Sequence, residues 1–438
     1  MNAALSRVRI GEGIYFSHIP DAKFKRNLIS IDFIVPLDAS TASVNALVPH
    51  ILRKSCRQYP DFSAFTARLE NLYGASLSAG VAKINGWQII SVSIQGLDSR
   101  FALEGEDIAQ ECASLLAAVV LDPKRDENGL LDAVDVELEK QFILDTIEAE
   151  INDKRSYAIR RCMQLMCKGE PVAIDRFGDT ETAEAITPRS ATEAYENLLK
   201  TAAIEISFTG SGSSDSARAL FTDAFADRAR DAVTVALVPL RTAPQQLTEV
   251  TETMELNQAK LVMGLRCGVA AGDEDIYAMR LCAAMLGGTP FSKFFLNVRE
   301  KLSLCYYCSA GYDQYNNLLL VDSGIEAANK QLAQDEIFRQ IAAMQAGNFT
   351  DQEIAETKML VANSLTKVAD SPSAMESWYL SQTINGRCNS PLDELAALNA
   401  VTRAQIVAAA AKLAPDTIYF LTGNEADDEN TEAEKEEC

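Results

Sequence analysis

Apolar and polar residues alternate in several short segments of the chain, and these segments form two similar series. Alternation at every second position predicts strands, because those side chains share one face. The first series lies near residues 11–19, 28–37 and 203–210, and the second near 249–257, 260–268 and 417–423. Each half reads as two strands, two helices, two strands, several helices and a closing strand. This order predicts an α+β fold in which helices pack on one face of an antiparallel-rich sheet.

The two series also share a sequence pattern. "FSAFTARLENLYGASLSAG" begins at Phe62 and "FSKFFLNVREKLSLCYYCSAG" begins at Phe291. Both segments begin with FSxF and end with SAG, and each follows a helical stretch and precedes a strand pair. We therefore predict a tandem duplication, with homologous halves at residues 1–228 and 246–424. Residues 229–245 contain two prolines and lack an amphipathic period, so they are predicted to be a linker.

Composition narrows the class of protein. Hydrophobic residues make up 47% of the 438 positions and charged residues 23%, as in a globular protein. No basic segment followed by an apolar core opens the chain, and no apolar run approaches the length of a membrane span, so we expect a cytoplasmic protein. The net charge of −22 argues against binding to nucleic acid or to a membrane surface. The acidic residues 425–438 are predicted to form a disordered tail.

The ten cysteines are scattered singly, which indicates reduced thiols rather than a disulfide framework. Cys305 and Cys308 form a CxxC sequence. Redox-active CxxC sequences open a helix, whereas the surrounding "LSLCYYCSAG" is rich in strand-forming residues. The pair is therefore predicted to be packing residues.

Only two histidines, His18 and His50, are present. A helical zinc site needs histidines at i and i+3 or i+4, and these two are too far apart in the chain. His50 lies in "NALVPHILRKSC", which has the pattern of a buried helix. Arg53 and Lys54 follow one helical turn later, where their positive charges would repel a divalent cation.

The duplicated halves, the helix after the second strand and the glycine-to-tyrosine stretch resemble the pitrilysin/insulinase (inverzincin) superfamily of zinc peptidases. The resemblance is to its processing-peptidase-like branch, and within it to bacterial members of the YfmF kind that lack HxxEH. It implies two halves forming a clamshell. It places His50 on the first histidine of HxxEH, whereas Arg53 replaces the glutamate and Lys54 the second histidine.

The family's third zinc ligand is a glutamate on a later helix. The resemblance places it near Thr146, with Glu148 and Glu150 close by but off register. Because the base and one or two ligands are lost, we expect that this chain binds no metal and has no catalytic residue of its own.

The second half retains another part of the family pattern. "MLGGTPFSKFFLNVREKLSLCYYCSAGY" resembles the family's glycine-rich turn, helix, and arginine and tyrosine separated by six residues. The resemblance implies that Arg299 and Tyr306 hold the substrate backbone and help to stabilise an oxyanion. The first copy has Glu70 at the arginine position and Ala75 or Leu77 near the tyrosine position.

These observations favour a non-catalytic subunit of a two-chain zinc peptidase. It would pair with a homologous HxxEH sister that carries the zinc, close a peptide-binding chamber, and contribute Arg299 and Tyr306; without the sister it could form a homodimer. Two alternatives remain open. One is a structural or interaction protein with the peptidase fold and no proteolytic role. The other is an independently active metalloendopeptidase with an atypical metal site.

Overall fold

The structure is a computed structural model that describes residues 5–269, 273 and 275–423. The predicted tail at 425–438 lies outside the described residues. The chain divides into two compact units. The first contains the chain up to Glu148, Ile174–Val238 and Thr366–Leu392, and the second contains Ala149–Ala173, Pro239–Leu365 and the chain from Asp393. Among the described residues, no helix has both the length and the apolar character needed to cross a membrane.

Each unit is built on one sheet. The strands are β1 (Ser6–Gly11), β2 (Ile14–Pro20), β3 (Arg26–Pro36), β4 (Ser76–Ile84), β5 (Trp87–Leu97) and β6 (Ala203–Gly210) in the first unit, and β7 (Thr248–Thr253), β8 (Ala259–Arg266), β9 (Cys305–Asp313), β10 (Leu318–Ile325) and β11 (Ala414–Thr422) in the second.

Fourteen α-helices are described. They are α1 (Ala42–Leu52), α2 (Phe62–Asn71), α3 (Ile108–Leu121), α4 (Ala133–Ala149), α5 (Lys154–Met166), α6 (Thr180–Glu184), α7 (Pro188–Thr201), α8 (Asp215–Phe225), α9 (Asp275–Ala283), α10 (Lys330–Gln345), α11 (Asp351–Val368), α12 (Pro372–Ile384), α13 (Pro391–Ala400) and α14 (Arg403–Ala411). Two π-helical segments, Ala284–Gly288 and Phe295–Lys301, precede β9.

The two sheets have the same topology. The first has the order β1-β2-β6-β3-β5-β4 and the second β7-β11-β8-β10-β9, so β2 corresponds to β7, β6 to β11, and β4 to β9. In both sheets the first and closing strands of the repeat are parallel, and the remaining pairs are antiparallel. The α+β class and the two homologous halves are thereby confirmed. Strand β1 is an addition to the first sheet that the sequence pattern did not reveal.

The compact units differ from the halves at 1–228 and 246–424 because one helix of each half belongs to the other unit. Helix α5 buries Ala158 and Cys162 against Val262 and Tyr419 of the second sheet. Helix α12 contributes Ile384 to a cluster with core residues of the first sheet. The helical period identifies the buried face of each helix but does not say which sheet covers that face.

Residues 229–245 form no regular helix or strand, as expected of the predicted linker. Part of the segment is nevertheless fixed to the first unit. The Arg230 guanidinium donates hydrogen bonds to the carbonyl oxygens of Glu12, Leu199 and Ala202, and the Trp87 indole donates one to the Ala236 carbonyl at 2.8 Å. The segment is therefore a packed connection along at least half its length.

Candidate functional site

His50, the residue at the first histidine position of the family motif, lies in the last turn of α1 and is 8% exposed. Its ring centroid is 5.0 Å from that of Phe142 on α4. Neither ring nitrogen has a hydrogen-bond partner among the described residues. Burial lowers the pKa of His50, although the nearby Glu139 carboxylate opposes this, so the imidazole is neutral at pH 7.

Lys54, at the second histidine position, forms ion pairs with two carboxylates of α4. Its ammonium nitrogen is 2.9 Å from Glu139 Oε1 and 3.4 Å from Asp135 Oδ1. Arg53 caps the end of α1 and is exposed. A lysine ammonium has no free electron pair for a metal and carries a positive charge of its own. The acidic residues closest to the motif are thus already neutralised by a cation from within the chain.

Zinc sites in proteins use at least three protein ligands, normally deprotonated cysteine, neutral histidine or carboxylate. Around His50 the structure offers one neutral imidazole and a carboxylate paired with Lys54. No cluster of three or more potential ligands is found among the described residues. The residues at this position therefore do not fit a zinc ion.

Neither Thr146, predicted to lie at the third ligand position, nor the neighbouring Glu148 and Glu150 contacts His50 among the described contacts. The Thr146 hydroxyl donates to the Phe142 carbonyl of its own helix at 2.7 Å, and Glu150 pairs with Arg160. Glu148 is exposed. Sequence reasoning missed Glu139, the buried carboxylate that faces the motif. The available signal was a weak one, since α4 buries Val136, Glu139 and Ile143 at helical spacing.

Arg299 and Tyr306, in contrast, are brought together. Both line one groove of about 430 Å³ on the second unit, with Glu300, Ser303, Leu304, Cys305 and Glu326 as the other lining residues. Arg299 lies in the last turn of the π-helical segment Phe295–Lys301, and Ser303, two residues after its end, has a φ of 51°. The Ser303 amide donates to the Arg299 carbonyl at 3.0 Å, and the chain then enters β9. This tight helix end sets the spacing between the two side chains.

Both side chains present polar ends to solvent. The Arg299 side chain is 43% exposed, and its guanidinium lies 4.8 Å from the Phe295 ring and 3.6 Å from the Glu300 carboxylate. Tyr306 is 61% exposed and donates a hydrogen bond to Glu326 Oε1 at 2.9 Å. That hydrogen bond and the charge of Glu326 raise the pKa of Tyr306, so the phenol keeps its proton at neutral pH. The groove therefore offers a fixed positive charge and a neutral hydroxyl donor.

Tyr306 also lies on the edge of the sheet. In β9, Cys305 is opposite Ile325 and Tyr307 is opposite Gly324, so Tyr306 is the extra residue of a β-bulge. β9 is the last strand in the order of its sheet, and its outer edge pairs with no other strand of the described residues. An unpaired edge exposes backbone donors and acceptors that can bind an extended segment.

A second polar cavity, of about 420 Å³, lies on the first unit beside α12. Asp32 of β3 and Glu376 of α12 meet there, and the Ser30 hydroxyl lies 2.9 Å from Asp32 Oδ2 and 3.3 Å from Glu376 Oε1. No basic side chain lines this cavity among the described residues. Burial raises the pKa of both carboxyls, and the charge of Asp32 raises that of Glu376 further. The two acids therefore share a proton rather than both ionising.

Taken together, the fold and the altered motif define a peptidase-like protein without the zinc ligands. The family description "Peptidase M16 inactive domain" matches residues 185–361. The "Probable inactive metalloprotease YmfF" of Bacillus subtilis (strain 168) is 29% identical over 406 residues, which cover 92% of this chain and 94% of that protein. These matches confirm the resemblance to the pitrilysin/insulinase, or M16, peptidases and to their inactive members in particular.

Solved structures agree with this assignment of the fold. A conserved protein from Enterococcus faecalis V583 aligns with a TM-score of 0.89 at 24% identity, covering 96% of this chain and 99% of that one. The peptidase M16 inactive domain from Pseudomonas fluorescens aligns with a TM-score of 0.78 at 18% identity, covering 96% and 98%.

Proposed function

We propose that this chain is a cytoplasmic, non-catalytic subunit that binds an extended peptide and pairs with a homologous HxxEH subunit to form a zinc peptidase. The observation that carries the proposal is the groove in which Arg299 and Tyr306 lie together on an unpaired sheet edge. The altered motif around His50 and Lys54 supports a division of labour, in which the sister subunit binds zinc and this chain binds none.

The groove suits a peptide backbone. An extended peptide can add to the outer edge of β9 through main-chain hydrogen bonds, a mode that tolerates varied sequences. The Arg299 guanidinium, and the Tyr306 hydroxyl once it turns from Glu326, would then donate hydrogen bonds to a peptide carbonyl. Such donors contribute most where charge develops on the carbonyl oxygen during cleavage. Water activation is left to the sister, so the chamber that the two chains close is productive only when both are present.

The experiment is a peptidase assay with the purified chain, the HxxEH homologue from the same genome, and their mixture. We expect cleavage only from the mixture, and a reduction of kcat/KM by about 10²-fold for both Arg299→Ala and Tyr306→Phe, as for other oxyanion donors. Lys301→Ala and Tyr307→Phe are matched controls. Lys301 does not line the groove, and the Tyr307 ring lies 4.3 Å from the Arg155 guanidinium instead.

Each other result has a definite meaning. If the mixture cleaves peptides and the two groove variants match the wild type, the role assigned to Arg299 and Tyr306 is wrong. A stable complex without cleavage would favour the interaction protein. Stoichiometric zinc bound to this chain alone would favour the independent metalloendopeptidase.

A further inference from the structure

The CxxC sequence of β9 differs in geometry from two cysteines in a regular strand. Residues at i and i+3 of a regular strand point to opposite faces. The bulge at Tyr306 removes this offset, because Cys308 pairs with Ser323 and Cys305 with Ile325 on β10. Positions 323 and 325 share a face, so both thiols do as well. Cys305 is 9% and Cys308 6% exposed, and Cys305 lines the groove of Arg299 and Tyr306.

The bulge also brings the two cysteines within reach of each other. Along the sheet, Cys305 and Cys308 are separated by about the distance from Ile325 to Ser323 on β10. Two residues of a strand span roughly 6.6–6.8 Å at the usual rise. Disulfide-bonded residues usually have Cα atoms about 4.4–6.8 Å apart. A bond between Cys305 and Cys308 therefore requires only a small contraction of the bulge.

The two thiols have different environments. A hydrogen bond from the Cys308 thiol lowers the pKa of Cys305, and the Ser323 hydroxyl and the Arg299 charge lower it further against the effect of burial. The hydrogen bond to Cys305 and burial raise the pKa of Cys308. Cys282, buried without such partners, shows the contrast, since burial raises its pKa to about 12. Cys305 is therefore the nucleophile of the pair, and Cys308 is placed to resolve its oxidised form.

We propose that Cys305 and Cys308 form a redox-sensitive dithiol, which hydrogen peroxide converts to a disulfide across the Tyr306 bulge. The Cys305 thiolate attacks one peroxide oxygen, which breaks the O–O bond, forms a sulfenic acid and releases hydroxide. The Cys308 sulfur then attacks the Cys305 sulfur and expels the sulfenic oxygen as hydroxide, while the Cys308 proton and one from solvent complete two waters. Two thiols lose two electrons, and one peroxide is reduced.

Disulfide formation would alter the groove. Tyr306 lies between the two cysteines, and contraction of the bulge shifts its backbone relative to Glu326, with which its hydroxyl now forms a 2.9 Å hydrogen bond. Oxidation would thus move one of the two groove donors while Arg299 remains on its helix. This consequence for peptide binding rests on the proposed function, whereas the thiol chemistry does not.

Mass spectrometry of the full chain tests the chemistry directly. The tryptic peptide 302–330 contains both cysteines and no others. After peroxide treatment we expect this peptide to lose two hydrogen atoms, at least as fast as exposed Cys388 is oxidised, and to regain them with dithiothreitol. In Cys308→Ser, dimedone should instead trap a sulfenic acid on Cys305. If peptide 302–330 keeps both thiols while Cys388 is oxidised, the proposal is overturned.

An activity arm separates this proposal from the proposed function. With the HxxEH homologue present, peroxide followed by removal of excess oxidant should lower peptide cleavage by the wild type, reversibly with dithiothreitol. Cys308→Ser, whose side chain does not line the groove, should start at wild-type activity and lose less on oxidation, provided that the homologue is pretreated and shown to be insensitive. A disulfide that forms without any change in cleavage would refute the coupling to Tyr306 and leave the proposed function intact.

Discussion

The buried acids Asp32 and Glu376 should make the stability of the first unit depend on pH. Glu376 belongs to α12, and its carboxyl faces Asp32 on β3 without a basic partner in the cavity that they line. On the neighbouring strand β6, Glu205 lies opposite Asp32 and forms an ion pair with Arg7. Replacing Glu376 with glutamine keeps the shape and gives Asp32 an amide donor, so that Asp32 can ionise while remaining hydrogen-bonded.

The direction in which the unfolding free energy changes with pH follows from the number of protons bound by the folded and unfolded chains. The folded pKa of both acids is raised above the ordinary values of 3.8 and 4.5, so the folded chain holds a proton that the unfolded chain releases. The stabilising effect of this proton is fully present below about pH 4 and is lost as pH rises toward the folded pKa. Each retained proton costs about 1.4 kcal/mol of unfolding free energy per pH unit. Between pH 5 and 7 the wild type should therefore lose up to about 2.7 kcal/mol relative to Glu376→Gln.

Urea unfolding followed by tryptophan fluorescence is a suitable assay. The only tryptophans, Trp87 and Trp378, both belong to the first unit, and Trp378 lies two residues from Glu376 on α12. Glu139→Gln is a matched control, because Glu139 is also a buried glutamate of the first unit but is paired with Lys54. We expect the stability difference between Glu376→Gln and wild type to grow with pH, and that of the control to show no such growth. A pH-independent difference for Glu376→Gln would refute the shared proton.

Three further variants test buried contacts of the two units by thermal or urea unfolding. Lys54→Met leaves Glu139 buried without its cation and should cost about 1–3 kcal/mol. Lys140→Met, which removes an ion pair with the exposed Glu137 on α4, should cost less than about 0.5 kcal/mol, so equal effects would contradict the pairing of Lys54. Arg266→Met leaves the buried Asp416 carboxylate without the Arg266 ion pair and removes one of the two arginines paired with Glu170. It should cost about 3–5 kcal/mol, so a neutral effect would contradict this network. Gly287→Ala places a methyl group against the backbone of β9 at Ala310 and should cost about 1–3 kcal/mol. An unchanged midpoint of unfolding would contradict this close contact.

The sequence was sufficient for the strands of both repeats and for their common order, because alternation and the shared FSxF and SAG segments are local signals. It was not sufficient to predict that α5 packs on the second sheet and α12 on the first, because an amphipathic period does not indicate which sheet a helix packs against. Asp32 and Glu139 were also missed. Each is a single acid within an otherwise ordinary buried pattern, and its partner lies on an element distant in the chain.

Parts of the candidate site were also identified from the sequence, whereas other parts were not. Arg299 and Tyr306 were identified through the resemblance of their segment to the family pattern, and the structure brings both into one groove. The β-bulge that aligns Cys305 with Cys308 was not predictable, because the CxxC spacing in a regular strand places the two thiols on opposite faces. Register, rather than residue type, decides what that pair can do.

The placement of α12 with the first sheet has a consequence for synthesis of the chain. β6, which is the last strand of that sheet to be synthesised, ends at Gly210, whereas α12 ends at Ile384, about 170 residues later. At ordinary translation speeds the first unit waits roughly 10–35 s for this helix after its sheet has emerged from the ribosome. During that interval Asp32, Ile34 and the neighbouring serines remain open to water, and the nascent chain presents a surface on which chaperones can act.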